Sequence, residues 1–136
     1  MEKLAVMLLA LKLYIKEYHW LAKGYENHIL ADKLEEDIDE YIDEAAELFT
    51  LNNEDLSGIY GKNLLKQASE HIADCYSGPE MKLYFPNLIS LVVEILEYCK
   101  TYTTTDVLEK GYSDYVGRLS NMMLKKLYLI GIQRSK

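Results

Sequence analysis

Five side chains between positions 19 and 47 have the types and spacing of a metal-binding set: His19, His28, Asp32, Asp43 and Glu47. His28 and Asp32 stand four residues apart, and so do Asp43 and Glu47. Fifteen residues, a little over four helical turns, separate His28 from Asp43. On one helix all four therefore project from one side. Imidazole and carboxylate together suit iron, manganese or zinc, and the soft ligands that select copper(I) or an iron–sulfur cluster are missing from this stretch. Glu35, Glu36, Asp37, Asp39, Glu40 and Glu44 crowd the same segment. Like charges one turn apart cost a helix roughly 0.2–0.5 kcal/mol per pair, and a divalent cation would relieve that repulsion.

The elements that must position these residues read as helices almost throughout. The first runs from about Glu2 to about Ala22, with Leu4, Leu8, Leu11, Ile15, Tyr18 and Ala22 on one stripe. Val6, Leu9, Leu13 and Trp20 form a second stripe on the other side, which predicts two partners, the helix's own bundle and another subunit. Gly24 breaks the run, and a second helix follows from about Tyr25 to about Leu51. Its core face is Leu30, Leu34, Ile38, Tyr41, Ala45, Leu48 and Phe49. The candidate ligands lie nearly opposite that face, so a metal held there sits at the surface or between two subunits, not inside the bundle.

Asn52-Asn53, Ser57-Gly58 and Gly61 mark a loop, and a short helix is predicted from about Asn63 to Tyr76, stopped by Ser77-Gly78-Pro79. A further helix covers about Phe85 to Tyr102, with Pro86 in its first turn. Thr103-Thr104-Thr105-Asp106 with Glu109 has the pattern of a turn and capping box. The last helix runs from about Val107 to about Ile132, with Leu108, Tyr112, Tyr115, Leu119, Met122, Met123 and Leu127 among its apolar positions. The predicted fold is all-α: a ferritin-like four-helix bundle whose crossover connection carries an extra short helix. With 136 residues it is a single domain, 1–136.

The motif His-Trp-x-x-Lys-Gly followed by His-x3-Asp-x10-Asp-x3-Glu resembles the Dps family of mini-ferritins. The matching residues are His19-Trp20, Lys23-Gly24, His28, Asp32, Asp43 and Glu47. The resemblance implies an iron-oxidation site between subunits, with His19, His28 and Asp32 from one chain and Asp43 and Glu47 from a two-fold partner. It implies Fe(II) oxidised with hydrogen peroxide or oxygen and stored in an oligomeric shell, a dimer at least and in this family a dodecamer. Within that site His19, Asp43 and Glu47 would carry the oxidation. By the same resemblance, Trp20 and nearby tyrosines would quench oxidising radicals. The chain departs from the family pattern in a loop three residues shorter between Gly24 and His28, in Leu21 and Leu48 where Asn and Arg are usual, and in a longer connection after the second helix. With the first helix starting almost at Met1, the basic N-terminal tail that many members use on DNA is not expected here.

Composition narrows the alternatives. Hydrophobic residues make up 49% and charged residues 27%, an ordinary globular balance. A net charge of −7 opposes contact with a phosphate backbone, so DNA binding is expected to be weak at best. No run is apolar enough to span a membrane, and the opening segment lacks a signal-peptide cleavage region. Cys75 and Cys99 match no zinc pattern and sit on apolar stripes as small core residues, which makes a reducing cytoplasm the expected compartment. His71 reads as a surface or capping histidine, and the twelve tyrosines as packing residues. A competing reading takes the acidic face as solvated surface and the chain as a non-enzymatic helical assembly or interaction protein on the same scaffold.

Overall fold

A computed structural model of the chain describes residues 1–72, 78–102 and 108–136. Among these residues the secondary structure is helical: α1 (Glu2–Leu21), α2 (Tyr25–Glu35), α3 (Ile38–Asn52), a 3-10 turn at Ser57–Ile59, α4 (Gly61–His71), α5 (Met81–Thr101) and α6 (Glu109–Arg134). No described helix is long and apolar enough to cross a membrane.

The predicted second helix is two helices. It breaks at Glu36-Asp37, where Asp37 takes a left-handed backbone at φ 67°. That conformation disfavours any residue with a Cβ, though Asp tolerates it better than most. The ammonium of Lys126 on α6 donates to the Glu36 carbonyl at 2.9 Å, so a tertiary contact answers the polar group the break leaves behind. α5 begins four residues earlier than its pattern suggests, because Met81 and Tyr84 are fully buried. Pro86 consequently stands in the second turn and not the first. The expected capping box at Asp106 and the core position of Cys75 lie outside the described residues.

Helix directions follow from which side chains meet. Lys12 pairs with Asp39 and Lys16 with Glu35, so α1 and the α2–α3 arm are antiparallel. Tyr18 donates to the Tyr84 carbonyl and Asn87 to the Tyr14 hydroxyl, while Lys3 lies over the ring of Tyr98. α5 is therefore antiparallel to α1 as well. Tyr112 donates to the Leu48 carbonyl, Tyr115 to the Tyr41 carbonyl and Gln133 to the Asn27 side chain, which sets α6 antiparallel to the α2–α3 arm. The arms thus run up, down, down, up. The two consecutive down arms require the connection from α3 to α5 to return along the bundle, and α4 lies on that return path against α1.

α1 is the centre of the packing, touching α2, α3, α4 and α5. Leu4, Leu8, Leu11, Ile15 and Tyr18 are buried as the main stripe predicts. Val6, on the second stripe, is buried too, and shares a surface cavity with Gln67 and His71 of α4. Over this first half of α1 the second partner is the chain's own crossover helix. Leu9 and Leu13 are half-buried, and Trp20 is 73% exposed. Of the remaining predicted core, Leu30, Leu34, Ile38, Ala45 and Phe49 of α2–α3, Leu88, Leu91, Val92, Ile95 and Cys99 of α5, and Tyr112, Tyr115, Leu119 and Met123 of α6 are all buried.

Candidate metal centre

His19 sits in the last turn of α1, and a tight joint turns the chain back over it. The Lys23 amide donates to the Pro79 carbonyl at 2.9 Å and the Asn27 side chain to the Lys23 carbonyl at 2.9 Å. Gly24 turns the corner at φ 99°, a conformation that favours glycine. His28, in the first turn of α2, accordingly stacks over His19 with ring centroids 4.1 Å apart and planes tilted by 52°. One turn further, Asp32 Oδ1 lies 3.3 Å from His19 Nδ1. This is ion-pair distance, but Nδ1 makes no hydrogen bond because the approach is off-line. His28 and Asp32 are exposed and His19 is half-buried.

The His19–Asp32 contact is the top rung of a ladder. Lys16 meets Glu35 at 2.6 Å on the next rung and Lys12 meets Asp39 below it. The hydrogen bond from Lys16 to Glu35 holds the ammonium above its usual lysine range. Register is kept across the break at Asp37, so α3 continues the stripe of α2 with a bend and no change of face. Asp43 and Glu47 follow Asp39 at four-residue steps along that stripe, and both are exposed. Continued to them, the register reaches Leu8 and Leu4 on α1, which are buried and carry no charge.

The structure therefore brings His19, His28 and Asp32 together and leaves Asp43 and Glu47 at a distance. Eleven residues, including the break at Glu36-Asp37, separate Asp32 from Asp43, about three helical turns. Among the described residues, no three His, Cys, Asp or Glu side chains are placed to hold a metal ion within one chain. As a donor set, two imidazoles and three carboxylates still fit iron, zinc or manganese, but only if the last two come from another copy.

Three features lie outside the motif. His71 ends α4 half-buried, with Nε2 2.7 Å from Glu94 of α5, a tie between the crossover and the bundle. Arg118 forks onto Glu44 at 2.5 and 3.0 Å, reaches Asp114 at 2.9 Å, and stacks 5.9 Å from the rings of Tyr41 and Tyr115. Lys126 is only 4% exposed, the one buried charged side chain among the described residues. Burial lowers its ammonium to about 8, with Asp37 and Glu36 opposing that shift. The sequence signal for it is its spacing: Leu119, Met123, Lys126 and Ile130 share one core stripe at spacings of four, three and four.

In comparisons with known proteins, no family model, no curated protein and no solved structure matches this chain.

Proposed function

We propose that this chain is a ferritin-like, Dps-like iron-binding and storage protein that takes Fe(II) as substrate at a site shared between two copies. His19, His28 and Asp32 of one copy supply one half. Asp43 and Glu47 of a second supply the other. The observation that carries this reading is the meeting of the His19 ring with His28 and Asp32, two imidazoles and a carboxylate with His28 and Asp32 exposed at the surface. The up–down–down–up order with a helix in the crossover agrees with it. In this arrangement the imidazoles hold Fe(II), the carboxylates favour the ferric product, and each iron gives one electron to peroxide or oxygen. The neighbouring acids gather cations toward the site. The same donors also accept zinc or manganese.

The test is oxidation of Fe(II) followed by absorbance, on metal-free protein, with air and then with peroxide. Saturable oxidation at a few irons per chain, with iron kept in solution with the protein, is the expected result. A rate equal to buffer refutes the reading.

A second reading has its own observation. Because His19–Asp32 is in register with Lys16–Glu35 and Lys12–Asp39, the histidine also fits as the last rung of a purely structural ladder. The chain would then be a helical assembly or interaction protein, and iron, zinc and manganese would leave its melting temperature unchanged.

A further inference from the structure

The break between α2 and α3 opens a cavity of about 350 Å³ against α6. Its wall contains the one buried ammonium described above. A buried lysine is unusual, because the charged form loses its hydration and its three N–H groups need acceptors. Here one hydrogen bond is found, from Nζ to the Glu36 carbonyl. The charged and titratable groups around the cavity are Glu36 and Asp37 at the break, Lys33 of α2, Tyr41 of α3, and Arg118 and Lys125 of α6. They do not contribute equally. Arg118 is committed to Glu44 and Asp114. Lys33 is 3.5 Å from Glu36, so each partly neutralises the other, and the Asp37 carboxylate on the same wall offsets part of the remaining positive charge. Lys125 adds a further positive charge.

We propose that Lys126 is a reactive amine and that this cavity is a capture site for a small anionic aldehyde, a phosphorylated or carboxylated one, with Lys33 and Lys125 receiving the anion. The neutral amine adds its lone pair to the carbonyl carbon, forming a C–N bond. The carbinolamine then loses the carbonyl oxygen with the two amine hydrogens as water, leaving an imine. No oxidant or reductant is needed. Burial supplies the neutral amine near pH 8, where exposed lysines remain charged. The cavity volume of about 350 Å³ suits a small molecule, and its side-chain amide at Asn121 and phenol at Tyr41 offer hydrogen bonds to the carbonyl oxygen.

The probe is pyridoxal 5′-phosphate at pH 7.5, trapped by borohydride and located by peptide mapping on the full chain. One dominant adduct on Lys126, at a half-saturating concentration at least tenfold below that of any other lysine, is expected. Adducts spread evenly over exposed lysines would overturn the proposal. Lys126→Arg keeps a donor for the Glu36 carbonyl and should abolish the dominant adduct. Lys33→Gln with Lys125→Gln leaves Lys126 in place. It should raise the half-saturating concentration at least fivefold for the phosphorylated aldehyde and leave that of unphosphorylated pyridoxal unchanged. An equal response to both aldehydes would overturn the anion-receiving role.

Discussion

Lys16 Nζ lies 2.6 Å from Glu35 Oε1, and this pair fixes the register in which His19 meets Asp32 one turn higher. The shift of Lys16 is upward, so the stabilisation it reports is complete below the ordinary lysine value of 10.5 and is lost as pH rises through the raised value. Its ammonium is solvent-facing, so the effect is screened. Lys16→Met is expected to lower the melting temperature slightly at low ionic strength. The difference should vanish near 1 M salt, where charges are screened within about 3 Å. Thermal melts at two salt concentrations check this.

Asp43 and Glu47 separate iron chemistry from stability. Both are exposed and neither has a cation on the α1 ladder, so Asp43→Asn with Glu47→Gln should change stability by less than about 0.5 kcal/mol. The proposed function requires the same double variant to lose rapid Fe(II) oxidation. Denaturant titration and oxidation kinetics on one preparation test both halves. Unchanged kinetics would remove these residues from the site.

Lys126 has the opposite linkage to Lys16. Its ammonium is lowered from 10.5 to about 8, so the folded state prefers the neutral amine. The penalty is therefore full below pH 8 and disappears as pH rises to 10.5. Lys126→Met removes the titrating group. Between pH 7.5 and 10.5, wild type should gain stability over this variant by an amount on the order of 2–3 kcal/mol. Other groups cancel in the difference, including the buried Tyr115 phenol, which burial pushes far above its usual range. Urea unfolding at both pH values is the measurement.

Asp37 isolates the cost of the bend. Asp37→Ala and Asp37→Gly both remove its charge, but only alanine has a Cβ to strain at φ 67°. The glycine variant should be more stable than the alanine variant by about 1 kcal/mol. Equal stabilities in denaturant would mean that the backbone at 37 adopts another conformation.

The helical content and most core positions are legible in the residues, because stripes such as Leu4-Leu8-Leu11-Ile15 repeat at helical spacing over many turns. The break at Glu36-Asp37 was not legible. No glycine or proline marks it, and the group that answers its carbonyl is Lys126, ninety residues away. The start of α5 is hidden in the residues because Met81 and Tyr84 lie ahead of a proline, a usual sign of a helix's first turn. At the candidate site, the meeting of His19 with His28 and Asp32 follows from the spacing around Gly24. The motif gave no sign that His19 also belongs to a lysine–carboxylate ladder, since that depends on the pairing of two helices. The second stripe of α1 suggests two partners, its own bundle and another subunit, whereas Val6 is buried with the crossover helix beside it.

The central place of α1 has a consequence for how the chain is made. α1 precedes every helix it packs on, and α5 is completed only about 80 residues after α1 ends. At a synthesis rate of about 5–20 residues per second, that interval is on the order of ten seconds. Through it, a helix with apolar residues on two sides leaves the ribosome before all of its partners exist.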